Sequence, residues 1–343
     1  VYRPCVSDSQ PPYNPSPVPQ VGTLRNAERR EATRLAPSPT GALHLGNART
    51  FLATWALARQ RGWKIVLRIE DLDGPRVKPG VIDLTIDLLQ WLGMDWDEGP
   101  TVQSTDTAPY VHAMDALART GAAYPSDLTR SEIEAAASAP QEGSHEVRFD
   151  ASKRPPIAPG PFADTGTNWR FATPAGEVAF RDAFAGSQTH EPARTIGDFV
   201  VWTKRGQPSY QLAVVVDDHR QSITQVIRGD DLLDSAARQL LLYRALGFGP
   251  EPTYTHIPLV LGPDGKRLAK RHGDTRLDTY RARRVHPHRI IALVGAWCGI
   301  FDQGKRLDRL SSAEFRERFA LTTIAHEPIR FTNEDDAWLL HGT

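Results

Sequence analysis

The stretch RLAPSPTGALHLGNARTFLATWALARQRGWKIVLRIEDLD, residues 34–73, decides the fold. Arg34 to Pro37 reads as a short buried strand, and Ser38-Pro39-Thr40-Gly41 supplies turn chemistry. From Asn47 to Arg61, the residues Ala48, Phe51, Leu52, Trp55, Ala56 and Ala58 mostly recur at three- and four-residue steps, an amphipathic helix that Gly62 ends. Lys64 to Ile69 is a β-branched run leading into the acidic cluster Glu70, Asp71 and Asp73, and a further helical stretch spans about Gly80 to Leu92. Strand, helix, strand, helix in that order predicts an α/β fold with a Rossmann-like, doubly wound parallel sheet.

Downstream, a helix is expected from Tyr110 to Gly121, and Pro125 to Ala175 is rich in Pro, Ala, Ser and Gly with little periodicity, an inserted, loop-rich region. Regular patterning returns with Phe199 to Trp202, the apolar run Tyr210 to Val216, which reads as a strand, and Ser222 to Arg228. A helix from about Leu233 to Leu246 follows, then the run Ile257 to Leu261, a Gly-Pro-Asp-Gly turn and the basic loop Lys266 to His272; the remainder to Thr343 looks mainly helical. The expected organisation is a disordered Pro-rich extension (1–32), a first half of the catalytic sheet (33–110), an insertion (111–198), a second half of the sheet with the basic loop (199–275) and a short helical C-terminal region (276–343).

Composition narrows the class. Lys plus Arg and Asp plus Glu both number 41, hydrophobic residues make up 40% and charged ones 24%, which excludes wholesale disorder and leaves no global basic field. The longest strongly apolar stretch, Ile290 to Phe301, falls short of the roughly 20 residues that span a bilayer, so no membrane partner is expected. The two cysteines, Cys5 and Cys298, suit neither a disulfide framework nor a cysteine-based zinc site, and the first 30 residues resemble neither a signal nor a transit peptide. A reducing, cytoplasmic location and a monomer are expected.

Two constellations carry chemistry. Pro37 to Asn47 sets a Gly-containing turn between a strand and a helix, where backbone N–H groups and the positive end of the helix dipole suit a phosphate; His44 adds an imidazole and Gly46 permits close approach. Taken alone it is equally a plain strand-to-helix turn with a surface histidine. Lys266-Arg267-Leu268-Ala269-Lys270-Arg271-His272-Gly273 crowds cations that repel one another unless an anion neutralises them, although a solvated basic loop looks the same.

Taken together the two are recognisable. His44-Leu45-Gly46-Asn47 resembles the HIGH signature and Arg267 to Arg271 the KMSKS signature of class I aminoacyl-tRNA synthetases. RLAPSPTG (34–41), RIEDLD (68–73), YQLAVVVDD (210–218) and VIRGDDLLDSAARQLLLYRALG (226–247) look like its glutamyl branch, and the resemblance covers about Thr33 to Arg283. About 60 residues follow Arg283, too few for the anticodon-binding region of a full glutamyl-tRNA synthetase, so the chain looks most like the short members that attach glutamate to the queuosine base of tRNA(Asp).

The resemblance implies ATP, with Mg²⁺, attacked at its α-phosphate by glutamate's α-carboxylate to give glutamyl-adenylate and pyrophosphate. It assigns His44 and Lys270 to catalysis; His44, Gly46, Asn47, Arg267, Leu268, Ala269, Lys270 and Arg271 to ATP; and Arg34, Leu35, Ala36, Pro37, Ser38, Glu70, Tyr210 and Arg228 to glutamate. Arg34 and Arg228 take the carboxylates, Glu70 the ammonium, and Tyr210 adds a hydroxyl. Asp217 and Asp218 receive no catalytic role. Ser126 and Leu128 stand where the family commonly has a Cys-x-Cys zinc pair, so no zinc is expected, and Ala269 replaces the usual serine, so slower catalysis is. The alternatives are a truncated synthetase that charges the tRNA 3′ end and a silent tRNA-binding paralogue.

Overall fold

A computed structural model describes residues 30–41, 43–72, 77–127, 132, 148–163, 166–266, 268 and 274–341. The expected Pro-rich extension falls almost wholly outside them, and the elements below belong to one unit that begins at Glu31. Strand β1 (Ala32–Leu35) leads through the Pro/Gly turn into helix α1 (Leu45–Arg61), then β2 (Lys64–Ile69), α2 (Val81–Trp91), β3 (Glu98–Val102) and α3 (Ala108–Arg119). Helix α1 starts two residues earlier than its apolar spacing predicts because His44 caps it, and it ends where Gly62 takes the left-handed conformation, φ 68°. Strands β1, β2 and β3 pair in parallel in that order.

The insertion contributes β4 (Ala123–Pro125) and β5 (Trp169–Phe171) to an antiparallel sheet completed by β8 (Phe199–Thr203) and β9 (Gln207–Pro208), which the sequence placed in the second half of the parallel sheet; β6 (Val178–Asp182) and β7 (Gly186–His190) form a separate hairpin. Strand β5 thus lies within the stretch expected to be loop-rich. Tyr210 to Val216, expected as a strand, is helical: α4 (Tyr210–Arg220) starts at Ser209, whose hydroxyl caps the Leu212 N–H. An apolar run buried on every side has no period to tell strand from helix, and the serine cap decides it.

The chain then adds β10 (Gln225–Gly229), α5 (Leu233–Ala245), β11 (Thr253–Ile257) and β12 (Val260–Leu261). Pro258 and Leu259 split the run expected to be one strand, since proline donates nothing to a ladder. After α6 (Leu277–Ala282), α7 (Pro287–Trp297) and α8 (Ser312–Arg318), the chain returns as β13 (Ile329–Arg330), parallel to β12, before α9 (Asn333–His341).

Strands β10 and β11 pair in parallel, and the Thr224 N–H donates to the Ala32 carbonyl at 2.9 Å, which sets β10 beside β1. Leu35, Ile65, Leu67, Ile69, Ile227 and Ile257 pack with α1, α2 and the C-terminal helices on one face. Ala32, Val66, Val226 and Tyr254 pack with α3, α4 and α5 on the other. Side chains alternate between faces along a strand, so Arg34, Arg68, Arg228 and His256 share the second face, near the carboxyl ends of four parallel strands. That is where a doubly wound sheet opens its binding crevice, between β1 and β10.

Candidate functional site

The HLGN turn is built around His44. Its Nδ1 accepts the Gly46 N–H at 3.2 Å, so the neutral ring carries its proton on Nε2 as a donor, and Asn47 Oδ1 accepts the His44 N–H at 3.1 Å in a reciprocal capping box. A Cβ on residue 46 would meet the His44 ring atoms at 3.1 Å, so glycine lets the imidazole lie against the helix terminus. This turn pairs with the chain that follows the basic loop: His44 and Arg276 form an antiparallel bridge, the Leu45 N–H donates to the Thr275 carbonyl at 3.1 Å, and the Leu277 N–H donates to the Leu43 carbonyl at 2.8 Å. On its other side Leu268, buried, donates its N–H to the Val260 carbonyl at 2.9 Å. The KMSKS-like segment is therefore anchored on β12 through its second residue, and the chain that follows it on the HLGN turn. Arg267, Ala269, Lys270 and Arg271 lie outside the described residues.

Of the expected glutamate residues, Arg34, Glu70, Tyr210 and Arg228 come together at the second face of the sheet. Arg34, Arg68, Arg228 and Asp218 are all buried. Asp218 Oδ1 takes Arg34 Nε at 3.2 Å and Arg68 Nη2 at 2.8 Å, and Glu70 Oε1 takes Arg68 Nη2 at 3.1 Å. Burial pushes the Asp218 carboxyl up, but Arg34 and Arg68 outweigh it and hold it well below the usual carboxylate range. Glu70 goes the other way: burial raises it more than Arg68 and Arg34 lower it. Tyr210, at the first turn of α4, is half-buried, and burial raises its hydroxyl within the fields of Arg228, Glu70, Arg34 and Asp218.

Arg228 is held differently from Arg34. Its Nε donates to His256 Nε2 at 2.9 Å, its Nη1 to Gln239 Oε1 at 2.8 Å and its Nη2 to the Leu232 carbonyl at 3.2 Å, and the guanidinium lies 5.0 Å from the centre of the Tyr254 ring. Gln239 is itself oriented by donating to Gln211 Oε1 at 2.9 Å. Each partner is neutral. Three guanidiniums, those of Arg34, Arg68 and Arg228, thus lie in one buried cluster with the carboxylates of Asp218 and Glu70.

Among the other expected contacts, Leu35 points into the core and can offer a ligand only its backbone, Pro37 is buried with its carbonyl taken by the Glu70 N–H at 3.0 Å, Ala36 is half-buried, and Ser38 is exposed. Sequence reasoning missed Arg68, His256, Gln239 and Asp182, and singled out Asp218 only as a residue that holds a neighbouring loop or substrate. The acidic pair ending an apolar run was the signal for Asp218; its neighbour Asp217 instead accepts from Gln103 Nε2 and the Tyr110 hydroxyl, both at 2.8 Å.

The insertion is organised by the buried Asp198, which accepts from the Tyr124 hydroxyl at 2.6 Å, from Arg154 Nε at 2.7 Å and from the Thr173 N–H at 2.9 Å. At the position of the expected family thiolate, Ser126 accepts Arg170 Nε at 3.3 Å, a cationic neighbour that does not fit a zinc ligand; Leu128 lies outside the described residues. Among the described residues no cluster of three or more His, Cys, Asp or Glu is placed to hold a metal, and no helix is long and apolar enough to cross a membrane.

The family described as tRNA synthetases class I (E and Q), catalytic domain, matches residues 31–335, and the chain belongs to it. Within the family it resembles the glutamyl-Q tRNA(Asp) synthetases: it is 43% identical to that of Symbiobacterium thermophilum, over 90% of this chain and 98% of the relative, and 45% identical to that of Rhodopirellula baltica, over 75% and 82%. A glutamate tRNA ligase from Elizabethkingia meningosepticum, solved in complex with its amino acid, superposes with a TM-score of 0.72 at 30% identity, over 90% of this chain and 68% of that one. The chain is thus a ligase of the glutamyl aminoacyl-tRNA synthetase type.

Proposed function

We propose that the protein activates L-glutamate with Mg²⁺-bound ATP, without tRNA, and passes the glutamyl group to the queuosine base in the anticodon of tRNA(Asp). The observation that carries the first half is the buried charge pattern: Arg228, a cation held only by neutral acceptors, and Glu70, a carboxylate paired on one oxygen with Arg68, both act on Tyr210. A glutamate zwitterion supplies a carboxylate for the one and an ammonium for the other. Arg34 and Arg228 receive its carboxylates, Glu70 its ammonium, and the Tyr210 hydroxyl completes the set.

In this reading the α-carboxylate attacks the α-phosphate in line and pyrophosphate leaves. His44 donates its Nε2–H to phosphate oxygens at the start of α1, where the helix dipole also favours negative charge. Lys270 neutralises the leaving pyrophosphate. The anchors on either side of it, on β12 and on the HLGN turn, support a loop that works beside the same triphosphate.

The queuosine acceptor rests on the names of the relatives and on the fact that the chain spans 98% of one of them. It is tested by incubating the protein with radiolabelled glutamate, ATP and tRNA(Asp) with and without queuosine. Label that appears only on the modified tRNA, and survives removal of the 3′-terminal nucleotide, is expected. Label lost with the 3′ nucleotide would assign the chain to 3′-end charging instead, and tRNA binding without any labelled product would mark a silent paralogue.

A further inference from the structure

We propose that His256, fixed by Asp182, is a positioning residue for Arg228: its neutral imidazole orients the guanidinium without neutralising it, so that the full charge stays available for a substrate carboxylate. The inference rests on the glutamate-activating reading above. His256 lies directly opposite Arg228 in the β10–β11 register, on the same face of the sheet, and both side chains are buried. Asp182, at the end of β6, is buried too.

The direction of the hydrogen bonds fixes the tautomer. Arg228 Nε can only donate, so His256 Nε2 must accept, which puts the ring proton on Nδ1, and that proton goes to Asp182 Oδ2 at 2.7 Å. Asp182 is held in turn: Oδ1 accepts the Phe184 N–H at 2.9 Å and the Ala185 N–H at 2.8 Å, and the His256 N–H lies 3.1 Å and 3.2 Å from its two oxygens. The negative charge therefore sits one imidazole away from Arg228. Arg34 shows the alternative, a direct pair with Asp218 that a ligand would have to share. Among the described residues no carboxylate makes such a pair with Arg228.

The arrangement makes Asp182→Asn a directed test. The amide oxygen stays on the Phe184 and Ala185 N–H groups, so the amide nitrogen faces His256 Nδ1 and drives the proton to Nε2, where it opposes Arg228 Nε–H. Such a change leaves the shape intact and reverses the tautomer. The expected result is a rise of about 10–100-fold in the glutamate KM, as for other partners that orient a ligand-binding side chain, with the ATP KM within about twofold. In ¹⁵N NMR the His256 proton is expected on Nδ1 in the wild type and on Nε2 in D182N.

His256→Gln and His256→Asn test the same point if D182N folds poorly. Glutamine can place an acceptor near the Nε2 position and asparagine cannot, so the glutamate KM is expected to rise much less in H256Q than in H256N. A wild-type proton on Nε2, a D182N glutamate KM within twofold of wild type, or equal losses in the Gln and Asn variants overturns the inference alone. Absence of glutamate-dependent pyrophosphate exchange in the wild type overturns the proposed function, and the inference with it.

Discussion

Arg34 and Asp218 form a buried ion pair at 3.2 Å, joining β1 to the last turn of α4 across 184 residues of sequence. Asp218 also holds Arg68, so one carboxylate answers for two guanidiniums. Asp218→Asn leaves Arg34 without its ion-pair partner and Arg68 with Glu70 and the more distant Asp217, and removing one partner of a buried pair costs about 3–5 kcal/mol. Guanidinium chloride unfolding is expected to show a loss of that size; a change below about 1 kcal/mol would mean that the network relaxes around the gap.

His44→Ala is expected to lower adenylate formation by about 10²–10³, the usual cost of losing a preorganised donor at a developing charge. Glutamate binding, measured by calorimetry, should change little because the ring caps α1 and lies outside the arginine cluster. Gly46→Ala should act in the same direction more mildly, its methyl meeting the imidazole at 3.1 Å. Near-normal exchange in H44A would remove His44 from the mechanism.

Most of the fold could be read from local pattern, and the misreadings share a cause. The first strand–helix–strand–helix run is legible because its buried strands are short runs bounded by turn residues and its helices keep apolar residues at three- and four-residue steps, and β2 has the predicted bounds Lys64–Ile69. Helix α4 is buried on several sides, so its apolar run carries no period, and only Ser209 betrays it. Arg34, Glu70, Tyr210 and Arg228 were found through motif resemblance and come together as expected. His256 and Asp182 were not found. They stand in short strands, TYTHI and VAFRD, that carry no motif, and their role exists only once β6, β10 and β11 come together.

Stability should depend on pH through His256. Burial and the Arg228 charge push its imidazole down to about 4 despite Asp182, whose own carboxyl stays low because His256 and two backbone N–H groups outweigh its burial. A histidine kept neutral in the fold contributes fully above its unfolded pKa of about 6.5, and that contribution is lost as pH falls through 4. The group accounts for roughly 3 kcal/mol over that window. Urea unfolding at pH 7, 5.5 and 4.5 is expected to show the decline, and H256Q a flatter profile; equal slopes would assign the acid sensitivity elsewhere.

Cys298 is fully enclosed, and burial pushes its thiol up to about 11, with Arg49 only partly opposing. A thiolate is the reactive form, so Cys298 should resist iodoacetamide at pH 8 in the native protein and react after denaturation. Peptide mass mapping decides it, and rapid native labelling of Cys298 would contradict the packing of α7 described here.

The central claim is that this charge pattern selects and activates glutamate without help from tRNA. The direct test is ATP–pyrophosphate exchange by the purified protein with glutamate, glutamine and aspartate in the complete absence of tRNA. The account predicts robust exchange with glutamate and at least about 100-fold less with glutamine, which would leave one of the two arginines, Arg34 or Arg228, buried beside a neutral amide. Exchange with glutamine equal to that with glutamate, or no exchange until tRNA is added, would contradict it.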